Sequence, residues 1–219
     1  MHLVVFGSGS GTNLEALLNN PDPSFAIKAL FTDRKCRFQE IGRAAGIPVI
    51  THCFEEFFRK KGISDLKDIS TRRDYDAENV RLIEQQVATI DLILLAGYMR
   101  LIYPPLLHRF KEKIINIHPA DLTALTPEGK RRYVGANSVY DALSAGEKQT
   151  RSSVILVNED VDSGPILATG PWVPYEEGYP VTKERAHLHQ QKQKHLSDWP
   201  VCVEAVTQIA KGSMGFKAL

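Results

Sequence analysis

An amide and an imidazole stand two residues apart at the end of an apolar run, Ile114-Ile115-Asn116-Ile117-His118-Pro119. The β-branched residues predict a buried strand, and the proline predicts its end. Because side chains alternate along a strand, Asn116 and His118 are expected on one face. In open α/β sheets ligands bind at the carboxyl ends of strands, so this pair is a candidate site. A strand end with two satisfied polar groups explains this stretch equally well.

A glycine-rich turn near the start of the chain is the second candidate, Gly7-Ser8-Gly9-Ser10-Gly11-Thr12-Asn13. It follows an apolar run and opens a helix-forming stretch, so its N–H groups and the helix dipole could hold a phosphate. No lysine follows Gly11, which excludes a P-loop, and the third position of G-x-G-x-x-G falls on Thr12. Asp33 nevertheless stands where a dinucleotide site keeps its ribose acid. A dinucleotide site and a purely structural turn therefore stay open.

Three further polar features carry less information when each is taken alone. Asp162 lies in an acidic turn, where an exposed aspartate is the usual outcome. Arg100 could bind a carboxylate in bidentate fashion or be solvated. The basic triplet at residues 130–132 predicts a solvated loop, although it could meet a substrate phosphate.

The histidines and cysteines do not indicate a metal site. His187 and His189 are two residues apart and would point to different faces of a helix, so with His195 they predict a solvated helix face. The 3 cysteines are widely spaced and form no C-x-x-C pair. This spacing predicts reduced thiols in a cytosol-like compartment rather than disulfides or a zinc site.

Bulk composition narrows the class of protein. Hydrophobic residues make up 43% and charged residues 24% of the chain, which are ordinary globular values. The formal net charge of +1 offers no global field for binding nucleic acid or an acidic membrane. The start is too short for a signal peptide, and no apolar run approaches the roughly 18 residues of a membrane helix. We therefore expect a cytoplasmic protein that binds neither nucleic acid nor a membrane.

Alternating apolar and helix-forming stretches predict the elements that position these residues. Strands are predicted at residues 3–6, 26–32, 48–51, 90–96, 114–117, 152–157 and 165–173. The charged stretch 54–76 predicts a helix piece and a loop, followed by a helix over 77–88. A long, interrupted helix is predicted over 183–211. We expect an α/β fold, a Rossmann-like, mostly parallel twisted sheet flanked by helices, with a C-terminal strand pair and a long terminal helix.

Together these pieces resemble the folate-dependent formyltransferases. The resemblance rests on five segments in the same order, residues 7–14, 94–102, 115–119, 133–137 and 161–166. The Asn-x-His pair with the later Asp-x-Gly is specific to the superfamily. The glycine turn narrows the resemblance to two enzymes, the one acting on glycinamide ribonucleotide and a formyl-folate deformylase. The deformylase carries a preceding regulatory domain, which we do not expect in this chain, so the resemblance favours the former. The resemblance implies a single formyltransferase domain over residues 1–219.

The resemblance implies formyl transfer from 10-formyltetrahydrofolate to the primary amine of glycinamide ribonucleotide, in purine synthesis, through a tetrahedral intermediate and without a metal. Asn116 would donate to the developing oxyanion, and one such donor is worth about 10²–10³ in rate. His118 would help the amine lose a proton or stabilise the charged intermediate. Asp162 would orient and tune His118 through an ordered water.

The resemblance also implies binding roles. Gly11, Thr12 and Asn13 would hold the phosphate of the amine substrate. The folate pocket would be lined by Arg100, Leu101, Ile102, Asn158, Glu159, Asp160 and Val161. Arg72 matches a family arginine near the ribotide site. The implied partners are these two small molecules, and the chain is expected as a monomer or homodimer.

The chain departs from the family pattern in three places. After Pro119 the family continues Ser-Leu-Leu-Pro, whereas this chain has Ala120-Asp121-Leu122-Thr123 and a longer polar insert up to Arg132. Ile155 replaces a histidine, and Gln193-Lys194-His195 stands where a glutamate holds the ribose hydroxyls. These departures leave two alternatives open: a divergent formyltransferase on another phosphorylated or sugar amine, and an inactive folate- or nucleotide-binding relative. A dinucleotide-dependent oxidoreductase is a third alternative, which rests only on the glycine turn and Asp33.

Overall fold

The structure is a computed structural model and describes residues 1–213. The strands are β1 His2–Phe6, β2 Ala26–Thr32, β3 Val49–Thr51, β4 Leu92–Leu95, β5 Ile114–His118, β6 Gln149–Thr150, β7 Ser153–Leu156, β8 Ile166–Thr169 and β9 Val173–Pro174. The α-helices are α1 Thr12–Leu18, α2 Arg37–Ala44, α3 Phe54–Lys60, α4 Ile69–Gln86, α5 Pro104–Arg109, α6 Ser138–Ser144, α7 Lys183–Gln193 and α8 Trp199–Ala210. A π-helical segment, Lys194–Asp198, joins α7 to α8.

The strands form a seven-stranded sheet in the order β3-β2-β1-β4-β5-β7-β8. β1 pairs in parallel with β2 and with β4, and β2 pairs in parallel with β3. β7 and β8 are antiparallel, and β6 pairs with β9 in a separate antiparallel ribbon. The predicted fold class is confirmed, including the parallel sheet and the C-terminal antiparallel strands. In residues 1–213, no helix combines the length and the apolar composition that a membrane crossing requires.

The chain forms two compact units. Unit 1 comprises Met1–Glu15 and Pro23–Ile115, and unit 2 comprises Ala16–Asp22 and the described residues from Asn116 onward. In unit 1, residues 3–6 of β1 are 0% exposed, as expected for a parallel strand covered on both faces.

Aromatic rings fix the carboxyl end of β1 in unit 1. The Phe6 ring stacks on Phe31 with centroids 4.5 Å apart, and the Tyr98 ring meets Phe6 edge-on at 5.3 Å. Such pairs add about 0.5–1.5 kcal/mol beyond the area they bury. The glycine turn therefore departs from a rigid strand end.

In unit 2, α6 and α7 pack through Val139, Leu143 and Ala186. The long terminal helix predicted over 183–211 is present and interrupted, as expected. The interruption is the π-helical segment, after which Pro200 occupies the first turn of α8. The Trp199 N–H donates to the Lys194 carbonyl oxygen across the π-helical segment, and Pro200 has no N–H to donate, so the regular α-helical hydrogen bonding is interrupted at this point.

The prediction for residues 54–76 was wrong in one respect. The structure has α3 at its start, and α4 begins at Ile69 rather than after residue 76. Asp68 caps α4 by accepting a hydrogen bond from the Thr71 N–H at 2.7 Å. The buried face of α4 includes Thr71, Asp76 and Asn79, so a search for apolar periodicity does not detect it.

Candidate functional site

Asn116, His118 and Asp162 meet in unit 2. The first two lie on β5, and Asp162 lies in the turn between β7 and β8. Asn116 Nδ2 donates to Asp162 Oδ1 at 3.5 Å, and His118 Nδ1 lies 3.4 Å from Asp162 Oδ2. The two β5 side chains thus reach the same carboxylate, as strand alternation predicts. The His118 and Asp162 side chains are thus within ion-pair distance of each other.

The second nitrogen of His118 also faces a protein oxygen. His118 Nε2 lies 2.7 Å from the Tyr133 carbonyl oxygen, and a carbonyl only accepts, so Nε2 carries the proton in this contact. The imidazole is 5% exposed as a side chain. The ring is therefore held between a carbonyl and a carboxylate.

The backbone of Asp162 adopts an unusual conformation, with φ at +50°. Such a conformation costs a non-glycine residue about 1–3 kcal/mol and persists where surrounding contacts hold it. The Gly135 N–H donates to Asp162 Oδ2 at 2.8 Å, and the Arg131 guanidinium donates to the Asp162 carbonyl oxygen. The exposed turn aspartate expected from this residue alone is not what the structure has, because the side chain is only 10% exposed.

Sequence reasoning missed Arg131, Tyr133 and Gly135 as members of this cluster. Tyr133 and Gly135 belong to a segment that carries the family resemblance, and that position was the available signal. Arg131 belongs to the basic triplet that we interpreted as solvated. Its partners are backbone oxygens about 30 residues away along the chain, and no sequence pattern indicates such contacts.

The glycine turn of unit 1 has the conformation that its sequence requires. Gly11 has φ at +73°, and a Cβ there would lie 2.7 Å from Ile41 Cδ1 and 2.9 Å from Phe38 Cα. Only glycine fits this position. Thr12 begins α1, and Asn13 in its first turn has a buried Oδ1 with no hydrogen-bond partner among the described residues.

Ser8 links the glycine turn to the segment that carries Arg100. The Met99 N–H donates to Ser8 Oγ at 3.0 Å, and the Ser8 N–H donates to the Gly97 carbonyl oxygen at 3.2 Å. Two of the five resemblance segments therefore contact each other within unit 1. Leu101 is 50% exposed, and Ile102 is half-buried.

Asp33 and Arg100 form a buried ion pair in unit 1. Arg100 Nε donates to Asp33 Oδ2 at 2.7 Å, and Arg34 Nη2 donates to the same oxygen at 2.9 Å. Burial alone would raise the pKa of Asp33, but hydrogen bonds from Arg34, Ser8 and Arg100 outweigh it and lower that pKa. The carboxylate is committed to two guanidinium groups, which argues against a role for Asp33 in holding a ribose.

The last of the predicted ligand-binding residues are Arg72 and the loop 158–161. Arg72 lies on α4, where Nε donates to the Leu66 carbonyl oxygen at 2.7 Å and Nη1 donates to the Tyr103 hydroxyl at 3.2 Å. This places it beside the residue that follows Ile102. In unit 2, the Ser163 hydroxyl holds the loop by donating to Asn158 Oδ1 at 2.9 Å, and Val161 is 52% exposed.

The histidines on α7 differ from one another. His187 is exposed as predicted, but His189 is 0% exposed and the prediction of a solvated face is wrong for it. His189 Nε2 contacts Thr150 Oγ1 at 2.7 Å, and Nδ1 lies 3.2 Å from Glu177 Oε2 without forming a hydrogen bond among the described residues. Burial is the main influence on the pKa of His189 and lowers it.

Within residues 1–213, no group of three or more His, Cys, Asp or Glu side chains is placed to hold a metal ion. All three cysteines are free thiols.

Gln193 occupies the place where the family carries residues for the ribose, but its side chain is buried in unit 2. Its Nε2 donates to the Pro119 carbonyl oxygen and to Ser152 Oγ, each at 3.0 Å. Asp198 completes this polar network, and burial raises the pKa of its carboxyl. The Gln193 amide thus supports the turn that directly follows His118.

Known proteins resemble this chain in sequence and in fold over most of its length. The family model described as formyl transferase matches residues 1–197. A phosphoribosylglycinamide formyltransferase of Mycobacterium tuberculosis is 36% identical over 179 residues, covering 80% of this chain and 72% of the relative. Another from Haemophilus influenzae is 31% identical over 169 residues, covering 75% and 69%. The crystal structure of glycinamide ribonucleotide transformylase 1 from Symbiobacterium toebii has a TM-score of 0.75 and 28% identity, covering 97% of this chain and 88% of that chain.

Proposed function

The chain belongs to the formyl transferase family, and from that premise we propose that it transfers a formyl group from 10-formyltetrahydrofolate to the primary amine of glycinamide ribonucleotide. The observation that carries the proposal is that Asn116 and His118 both contact the carboxylate of Asp162 in unit 2. We further propose that residues 1–219 act as one formyltransferase domain, in the cytoplasm, as a monomer or homodimer in purine synthesis.

In the proposed reaction the amine nitrogen attacks the formyl carbon, and the formyl oxygen becomes an oxyanion. The proton leaves the amine, N10 of the folate takes up a proton, and the C–N10 bond breaks to release tetrahydrofolate. Asn116 supports this chemistry because one N–H of its amide points to the Asp162 carboxylate, which can only accept. The amide orientation is thereby fixed, and the second N–H is available for the oxyanion.

The surroundings of His118 favour one of the two roles that the resemblance implies. Both ring nitrogens face protein oxygens, so direct proton removal from the amine would first require the Tyr133 contact to open. Stabilisation of the charged intermediate leaves that contact in place. We therefore assign His118 to stabilisation of the charged intermediate and Asp162 to holding the ring in position.

The remaining roles follow from the resemblance. Gly11, Thr12 and Asn13 would hold the substrate phosphate, which is supported by the positive φ of Gly11 and by the position of Thr12 and Asn13 at the start of α1, where backbone N–H groups can donate. The folate would contact residues 100–102 and 158–161. In unit 1 the exposed apolar side chain of Leu101 suits contact with an aromatic ligand. Arg72 is proposed as a further contact of the ribotide substrate.

The test is turnover of 10-formyltetrahydrofolate with glycinamide ribonucleotide, followed by the change in folate absorbance. We expect wild-type turnover and a loss of more than about tenfold, or ~1.4 kcal/mol, in the variant His118→Ala. His187→Ala is the matched control because His187 is an exposed histidine in the same unit. Tight folate binding without wild-type turnover would instead identify an inactive folate-binding relative.

A further inference from the structure

The segment Arg131–Gly135, which we name the strap, makes three contacts with the candidate catalytic cluster. Arg131 donates to the Asp162 carbonyl oxygen, the Tyr133 carbonyl accepts from His118, and the Gly135 N–H donates to the Asp162 carboxylate. All of these residues belong to unit 2. The strap begins at the end of the polar insert where this chain leaves its family pattern, so the insert leads directly into the site.

Arg131 acts on the backbone of the Asp162 turn rather than on a side chain. Its Nη1 donates to the Asp162 carbonyl oxygen, and its Nη2 donates to the Gly164 carbonyl oxygen at 2.6 Å. A planar guanidinium offers two donors in a fixed fork, so it sets the separation and direction of two acceptors together. Lysine, with one ammonium, cannot impose the same geometry.

The turn needs such a restraint. Asp162 has φ at +50°, in the left-handed region, which costs free energy for a residue with a Cβ even though aspartate tolerates it better than most. At Gly164 a Cβ would lie 1.7 Å from the Leu156 carbonyl oxygen, so the turn is pressed closely against β7. Rotation of the Asp162 backbone would move the carboxylate away from Asn116 and His118, and a 1 Å displacement in a catalytic site can cost about 10²-fold in rate.

We infer that Arg131 is a positioning residue for formyl transfer, which fixes the Asp162 turn so that its carboxylate faces Asn116 and His118. This role rests on the proposed function. It differs from both roles weighed for the basic triplet, a solvated loop and a substrate phosphate contact. A phosphate contact would lower the affinity for the amine substrate when lost, whereas a positioning role acts on the chemical step.

The first measurement is steady-state kinetics of Arg131→Met. We expect kcat to fall by about tenfold or more while both KM values stay within about threefold, because the lost interaction serves the transition state. Arg131→Lys should recover part of kcat. Lys130→Met is the matched control, since it removes a neighbouring positive charge from an exposed side chain and should retain wild-type kcat. A raised amine KM with unchanged kcat, or equal losses in Arg131→Met and Lys130→Met, would overturn the inference.

The second measurement needs no substrate. The Gly135 N–H donates to Asp162, so release of the turn in Arg131→Met should speed hydrogen exchange at the Gly135 amide by about tenfold. If wild-type turnover is absent, the proposed function fails, and the exchange rate alone decides the role of Arg131. An unchanged exchange rate at Gly135 would contradict that role. Should Arg131→Met fail to fold by circular dichroism, Arg131→Lys takes its place in both measurements.

Discussion

Asp162 is the residue on which the candidate site depends most. Its carboxylate accepts from the Gly135 N–H at 2.8 Å and from Asn116 Nδ2 at 3.5 Å, and it faces His118 Nδ1 at 3.4 Å. Two separate parts of unit 2, β5 and the strap, therefore contact one nearly buried anion. A buried carboxylate is costly unless it is paired and hydrogen-bonded, and these contacts meet that requirement.

We predict that Asp162→Asn lowers kcat by about 100-fold, as expected when a preorganised charge in a transition-state environment is removed. An asparagine oxygen could still accept from Gly135, but its neutral amide would lack the negative charge that the carboxylate presents to the His118 ring. The measurement is kcat with saturating substrates. Asp141→Asn, an exposed acid on α6, is the control and should match the wild type. Activity within tenfold of wild type would refute the assignment of Asp162.

At the scale of elements, the turn between β1 and α1 contains glycines with different constraints. Gly11 has a left-handed φ, and a Cβ there would contact backbone, whereas a Cβ at Gly9 would meet nothing within 4 Å. A substitution at Gly11 is therefore expected to lower stability, which would obscure any effect on phosphate binding. Gly9 is exposed and is the better position for probing the proposed phosphate site.

We predict that Gly11→Val lowers the free energy of unfolding by about 2 kcal/mol or more, since a β-branched residue is strained at positive φ and would clash with Phe38. Gly9→Ala should change stability by less than about 1 kcal/mol. It should also raise KM for the amine substrate more than KM for the folate. Urea denaturation and steady-state kinetics measure these effects. Equal changes in both KM values would contradict the placement of the phosphate.

At the scale of the whole molecule, patterns that depend on neighbouring residues were predictable and contacts between distant residues were not. β2 was predicted at its observed bounds because most of its residues are apolar and neighbours in the sequence. α4 began eight residues before the predicted helix because polar residues line much of its buried face. Asn116, His118 and Asp162 were found through strand alternation and family resemblance. Arg131 and His189 were not, since their partners are distant in the sequence.

Global stability should respond to pH through Asp76, a buried carboxyl on α4. Burial raises its pKa to about 7, although the Tyr103 N–H donates to it at 2.6 Å and Asn79 Nδ2 donates at 3.0 Å. A carboxyl whose pKa is higher in the folded state binds more protons when folded, so its contribution to stability is lost as pH rises through the folded pKa. The window runs from the ordinary pKa of 3.8 up to about 7.

We predict that wild type loses stability relative to Asp76→Asn as pH rises from 5 towards about 7, by up to about 1.4 kcal/mol per pH unit. Above that range the difference should level off, since Asp76 is ionised in both states. Urea denaturation of both proteins at matched pH values gives the difference in unfolding free energy. Asp33→Asn is the control: the pKa of Asp33 is lowered below 3.8, so its carboxylate stays ionised and its difference from wild type should stay constant from pH 5 to 8. A constant difference for Asp76→Asn as well would show that Asp76 is ionised in the folded protein throughout, and that its hydrogen bonds outweigh the cost of burial.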